Sequence, residues 1–257
     1  MTIAEVLLLL VAGFAAGVVG YVTGLASIIS YPALLAVGLP PITANVTNTV
    51  AMVAVGVGSF AKSGRVLLAD DPSTPRGTGG GTSLARSGLI ALLGGAVGAG
   101  ILLASPDKIF VFVVPYLVAL ASIALLAQPR LRARVGERAN HPAWWLTGVF
   151  VVSIYGGYFG AGAGVMFVAL AMVLTGLPLW RATLLKSALL GIANAVAAVG
   201  FIIFAEVHWG AAIAMGLGCL LGGWAGPPIV AHLPATPLRI TIGLGGLGLA
   251  VWLALGN

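Results

Sequence analysis

The apolar stretch that opens the chain, from about Ile3 to Val37, constrains the fold more than any other feature. At ~1.5 Å per residue it is too long for one helical crossing of a ~30 Å hydrocarbon layer. Gly13, Gly17, Gly20, Gly24 and Pro32 punctuate it, so it reads as a hairpin, either re-entrant or made of two spans. Further apolar stretches cover about 42–61, 88–104 and 109–127. After a polar loop, a second Gly-rich stretch at 143–176 is followed by about 179–204, 209–231 and 237–255. Of the 257 residues 60% are hydrophobic and 7% are charged, with a mean hydropathy of +1.13. Soluble domains average roughly 45–50% apolar and about 25% charged, and one of this length could not hide so much apolar surface. Transmembrane barrels alternate apolar and polar residues, whereas these runs are apolar on all sides. The expectation is an all-α polytopic membrane protein with about seven to eight transmembrane segments. The first residues carry no Lys or Arg before the apolar run, so the N-terminus does not resemble a signal peptide and is expected to remain as the first span. The lone cysteine, Cys219, excludes an intramolecular disulfide and reads as a small packed side chain.

Two loops stand out. Residues 62–87 are rich in Gly, Ser, Thr and Pro and read as a flexible connector, Gly77-Thr78-Gly79-Gly80-Gly81 included, since no Gly-Lys-Ser/Thr follows to make a phosphate loop. Residues 128–141 hold four arginines against one glutamate. A sequence pI near 10.0 raises the question of nucleic acid, but basic residues gathered between spans follow the positive-inside rule instead. If each hairpin returns to its starting side, Lys62, Arg65, Arg76, Arg86, Arg130, Arg132, Arg134, Arg138, Arg181 and Arg239 share one face, and Lys108 alone lies opposite. That bias assigns the basic face to the cytoplasm and both termini to the outside of the cell inner (cytoplasmic) membrane. Trp144, Trp145, Trp180 and Trp209 lie near span starts and read as interfacial aromatics.

The halves resemble each other. Gly38-Leu39-Pro40 followed by Ala44 recurs as Gly176-Leu177-Pro178 followed by Ala182, an offset of 138. Residues 88–106 and 216–234, offset by 128, share nine of nineteen positions, where chance gives roughly one in ten for this composition. A returning hairpin plus three spans makes an odd number of crossings, so the second half must be inverted. The expected organisation is a first membrane repeat at 1–127, a basic cytoplasmic loop at 128–141, and a second, inverted membrane repeat at 142–257. Inverted repeats with Gly-interrupted segments at matching positions are an architecture of secondary transporters, with the site between repeats near the midplane. In Gly94-x-x-x-Gly98 and Gly218-x-x-x-Gly222 the glycines read as close helix packing. In the hairpins, packing and local unwinding both remain open.

Intramembrane charges mark functional sites. Glu5, Asp70, Asp71, Asp107, Glu137 and Glu206 all map to ends or loops, which argues against a cation substrate. Lys186 is the one charge within a span, and its competing reading is a lysine snorkelling to the interface. Thr183, Lys186, Ser187 and Asn194 follow helical spacing, and the repeat partner of Lys186 is Asn48, on a face with Asn45 and Thr49. Inversion turns these faces towards each other. One positive charge with amide and hydroxyl donors suits a small oxyanion; interhelical hydrogen bonding alone is the other reading. His141, His208 and His232 lie apart without metal-ligand spacing, and no cofactor is expected.

The Gly-rich hairpin leading into Pro32-x-Leu34-Leu35-x-x-Gly38-Leu39-Pro40 and a Thr/Asn segment resembles the sulfite exporter TauE/SafE family. So do its second copy, Gly156-Gly157-Tyr158-Phe159-Gly160-Ala161-Gly162-Ala163-Gly164, and the closing Gly222-Gly223-x-x-Gly226 with Leu238-Arg239. Tyr21-Val22-Thr23 stands where the family usually has a denser glycine run. The resemblance covers essentially the whole chain. It implies a non-enzymatic transporter moving sulfite or an organosulfonate such as sulfoacetate across the cytoplasmic membrane. Alternating access between the repeats is expected, a passive anion channel or a membrane-embedded enzyme or scaffold being the alternatives. The partners expected are the small anion and the lipid bilayer, and the Gly-rich faces suit a homodimer.

Overall fold

The computed structural model describes residues 1–68, 82–133, 142–175, 177, 179–230 and 235–255. Among these residues the chain is entirely helical, with ten helices: α1 (Ile3–Thr23), α2 (Ala26–Ala36), α3 (Pro41–Leu68), α4 (Leu84–Ala104), α5 (Asp107–Ala133), α6 (Pro142–Tyr158), α7 (Ala163–Thr175), α8 (Leu179–Phe204), α9 (Trp209–Val230) and α10 (Ala235–Leu255). Five of them, α1, α4, α5, α8 and α9, are long and apolar enough to cross a membrane.

Each Gly-rich stretch divides into a longer helix and a short one. α1 has 21 residues and α2 has 11; α6 has 17 and α7 has 13. At ~1.5 Å per residue α2 and α7 reach only about 16 and 20 Å, well short of a ~30 Å layer. Neither stretch is thus a pair of complete spans. α1 opens on a capping box: Thr2 N–H donates to Glu5 at 2.8 Å and Glu5 N–H to Thr2 Oγ1 at 3.3 Å, satisfying two orphan amides of the first turn.

The helices extend into both loops. α3 continues to Leu68 and α4 begins at Leu84, where Ser83 Oγ accepts from Arg86 N–H at 3.2 Å; only 69–81 of the connector lies outside the described residues, with Asp70, Asp71, Arg76 and the Gly77–Gly81 run. α5 runs through the first residues of the basic loop to Ala133. Arg134, Glu137, Arg138, His141 and His232 lie outside the described residues.

Close helix packing comes from small residues. α1 lies against α9, where a Cβ on Gly17 would sit 2.6 Å from Cys219 O and 2.7 Å from Gly223 N. α4 lies against α6, where a Cβ on Gly94 would sit 2.6 Å from Ser153 Cβ and 2.7 Å from Phe150 O. The pairings follow an order: α1 on α9 and α6 on α4, α3 on α9 and α8 on α4, α3 on α8, α5 on α10. Every partner maps to its counterpart when five is added to or subtracted from its number. Cys219 is buried in this core, as its apolar surroundings predict.

Helix directions follow from the contacts. α1 runs parallel to α9, with Met1 Sδ beside Gly210 and Phe14 beside Gly218 and Gly222. α10 runs antiparallel to α5, Gly243 meeting Leu126 and Gly246 meeting Ser122. The start of α1 and the end of α10 therefore share one end of the bundle with Asp107, Glu206 and His208, and the starts of α4, α6 and α8 share the other. The tryptophans divide. Trp144 and Trp209 are exposed, but Trp145 is fully buried and its indole N–H donates to Ser87 Oγ at 3.0 Å. It serves the core between α4 and α6 rather than an interface.

Candidate functional site

The two helix breaks sit on glycines with left-handed backbone. Gly24 has φ 75°, and its counterpart 138 residues on, Gly162, has φ 79°. Residues with a Cβ adopt this region at a cost of roughly 1–2 kcal/mol. Gly24 ends α1 with its N–H on Gly20 O at 3.0 Å. α2 then starts without any side-chain cap on its first amides. On the other hairpin, the Tyr155 hydroxyl donates to Ala161 O and braces the turn between α6 and α7. The hairpins meet backbone to backbone, Gly24 against Gly164.

Beside this meeting point lies a small cavity of about 60 Å³. α1 and α2 contribute Gly20, Gly24 and Ser27; α3 contributes Asn48, Thr49, Met52 and Gly56; the second hairpin contributes Phe159 and Gly160; α8 contributes Lys186, Ser187, Leu190, Gly191 and Asn194. Five of the seven residues expected from sequence thus line one space: Asn48, Thr49, Lys186, Ser187 and Asn194. Asn45 and Thr183 do not. Asn45 donates from Nδ2 to Tyr158 O at 2.9 Å, and the carbonyl of Thr183 accepts from Ser187 Oγ at 3.0 Å.

Lys186 decides the character of the cavity. It is 3% exposed, and its Nζ donates to Gly20 O at 3.0 Å instead of reaching back along α8 to the helix end. A snorkelling lysine keeps its ammonium in water, so this geometry excludes that reading. The described carboxylates, Glu5, Asp107 and Glu206, all lie at the end of the bundle where α8 finishes, 18 residues beyond Lys186 at Phe204, or about 25 Å along the helix. Opposite Lys186, Asn48 takes a fixed orientation: Oδ1 accepts from Ser30 Oγ at 2.5 Å and Nδ2 donates to Ser27 Oγ at 3.2 Å. Thr49 and Ser187, equivalent at the 138 offset, each direct the hydroxyl proton to the carbonyl four residues back, at 3.0 Å.

Three contributors escaped the sequence reading. Ser27 and Ser30 stand one turn apart, directly after the Gly24 break, a spacing that marks one helix face once the break is located. The Gly20 carbonyl is backbone and carries no side-chain signature. Among the described residues no group of three or more His, Cys, Asp or Glu comes together to hold a metal ion.

Comparison with known protein families matches residues 9–253 to the one described as "Sulfite exporter TauE/SafE". The match takes in both hairpins and every residue of the cavity. The chain belongs to the TauE/SafE family. A relative from Sinorhizobium sp, described as "Probable membrane transporter protein ORF9", is 28% identical over 228 residues, covering 85% of this chain and 80% of its own length. Family and helices together make this TauE/SafE protein a multi-pass membrane transporter. Gly24, Gly160 and Gly162, whose left-handed backbone breaks the two hairpins, all fall within the matched residues.

Proposed function

We propose that this protein is a secondary carrier that moves a small sulfur oxyanion, sulfite or an organosulfonate such as sulfoacetate, by alternating access around the cavity. The single observation that carries this reading is the burial of the Lys186 ammonium at a cavity wall. Lys186 is the charged side chain among the described residues that line the cavity, and a cation at the wall of an intramembrane cavity suits an anionic ligand, which would share its protons with Gly20 O. Ser27, Asn48 and Asn194 supply polar contacts around it, and charge-assisted hydrogen bonds to oxyanions are the stronger kind. The uncapped start of α2 adds partial positive charge from its amides.

The halves 1–127 and 142–257 read as inverted copies, and the reciprocal helix pairings support that reading. Inverted halves around a shared midplane site favour a carrier over a passive channel or an embedded enzyme. The positive-inside rule assigns the end with Arg86 and Arg181 to the cytoplasm and both chain ends to the outside of the cytoplasmic membrane.

Sulfite and sulfoacetate counterflow in proteoliposomes tests the proposal. The native protein is expected to give saturable counterflow, and Lys186→Ala to lower kcat/KM by at least about a hundredfold, as loss of a charge-assisted contact of roughly 3 kcal/mol entails. Flux linear in concentration and without counterflow would point to a channel, and counterflow unchanged in Lys186→Ala would remove the ammonium from the binding site.

A further inference from the structure

Asn45 is fully buried, lies one turn from the cavity residues Asn48 and Thr49, and does not line the cavity itself. Its amide nitrogen donates to Tyr158 O at 2.9 Å. Tyr158 ends α6, and the next two residues, Phe159 and Gly160, form part of the cavity wall. Asn45 therefore grips the second hairpin at the point where that hairpin becomes the wall.

The same grip is repeated from the other half. Gly20 O, on α1, accepts from Lys186 on α8, and Gly20 and Tyr158 are separated by the 138 offset of the repeat. Each hairpin is thus held at its break by a side chain from the long polar helix of the opposite half. The two gripping side chains are not repeat equivalents, Lys186 matching Asn48 and Asn45 matching Thr183, and they also differ in charge. Lys186 is charged and faces the cavity, so an anion there shares its protons; Asn45 is neutral and turned away, so an anion does not reach it.

The neighbourhood of the Asn45 grip also carries unsatisfied polar atoms. Among the described residues, Asn45 Oδ1 and the Tyr31 hydroxyl are buried and find no hydrogen-bond partner. Tyr31 packs edge-on against Phe159 with ring centroids 5.4 Å apart, so its ring borders the turn that Asn45 holds. Buried polar atoms are nearly always paired in folded proteins, and each exception calls for an explanation. An acceptor and a hydroxyl left unpaired around one turn raise the energy of this arrangement relative to one that pairs them.

We infer that Asn45 is a positioning residue of the transport cycle, whose bond to Tyr158 O holds the second hairpin in the arrangement seen here and breaks when the cavity opens to the other side. The inference rests on the carrier reading above, and the turn it concerns, Tyr158–Gly160, moves to a second position that satisfies Tyr31 and Asn45 Oδ1. The Lys186 grip answers to the bound anion, and the Asn45 grip sets the resting balance between the two positions.

The test uses a reporter cysteine at Met52, a cavity residue only 6% exposed, as Met52→Cys in a Cys219→Ala background. Its reaction with a membrane-impermeant thiol reagent is followed in liposomes. Asn45→Leu removes the grip and is expected to speed labelling by about fivefold, the equivalent of one lost hydrogen bond. Tyr31→Phe removes the unpaired hydroxyl, stabilises the observed arrangement and is expected to slow labelling by about twofold. In counterflow without the reporter, Asn45→Leu is expected to change kcat by about tenfold while KM stays within about threefold, and Asn45→Gln, which keeps the donor, to recover part of the loss. Labelling within twofold of the background in both variants overturns the inference. So does a rise in KM alone, which would make Asn45 a substrate ligand. If Asn45→Leu does not fold, the direction of the Tyr31→Phe change decides. If the native protein shows no sulfite or sulfoacetate counterflow, the substrate reading fails, and the opposite labelling shifts still decide the role of Asn45.

Discussion

Asn48 shows how much of this site depends on orientation rather than on residue type. Ser30 takes up its carbonyl oxygen and Ser27 its amide nitrogen, so the side chain cannot turn without breaking both bonds. Asn48→Asp would keep the size, place a second acceptor against Ser27 and bring negative charge to the cavity wall near Lys186. We expect it to abolish sulfite counterflow, whereas Asn48→Ser should weaken it by about tenfold, roughly one hydrogen bond; the comparison of the two in proteoliposomes checks this. Trp145, which does not line the cavity, offers a contrast. Its indole N–H is bonded to Ser87 deep between α4 and α6, and Trp145→Phe should cost about 1 kcal/mol of stability by removing that bond while Ser87 keeps Thr82 Oγ1 at 3.3 Å, read as a lower unfolding temperature in detergent with KM unchanged.

At the scale of helices, glycines divide into those that allow contact and those that fill space. Gly17 sits against the backbone of α9, where neither carbonyl nor amide can move aside, so Gly17→Ala should destabilise the α1–α9 pair. Gly245 and Gly248 of α10 have nothing within 4 Å of an added Cβ. Gly245→Ala should therefore be neutral or slightly stabilising, by up to about 1 kcal/mol from helix propensity, and parallel thermal unfolding of the two variants tests the division. This is also where the sequence was most and least legible. The glycine spacing and the long apolar runs pointed to the hairpins, and the i, i+3, i+4 spacing of Asn45, Asn48 and Thr49 pointed to a polar helix face. Spacing does not reveal which members of a face reach a cavity: Asn45 is instead bonded to Tyr158 O, and Thr183 is absent from the cavity lining. Trp145 was misread because proximity to a span start is shared by lipid-facing and core-facing positions, and only the partner helix distinguishes them. The Gly20 carbonyl was invisible because every residue has one.

For the whole molecule, direction in the membrane follows from charge, and the prediction belongs at this scale. The start of α1 and the end of α10 lie at the end of the bundle with Glu206 and His208, while Arg86 and Arg181 lie at the other. A reporter active only outside the cytoplasm, fused after Asn257, should be active, and one fused in the 69–81 segment should be silent; the reverse pattern would invert the orientation. The contact of Gly24 with Gly164 bears on how such a molecule moves. Two hairpins of opposite halves touch there main chain to main chain, while Tyr31 on Phe159 and Leu25 beside Gly162 supply side-chain contacts next to it. Knobs that interlock must climb out of their rotamer wells before two surfaces can slip. Bare backbone has no such teeth, so under the carrier reading the Gly24–Gly164 point would serve as a pivot, and the side-chain contacts beside it would set the resistance to turning.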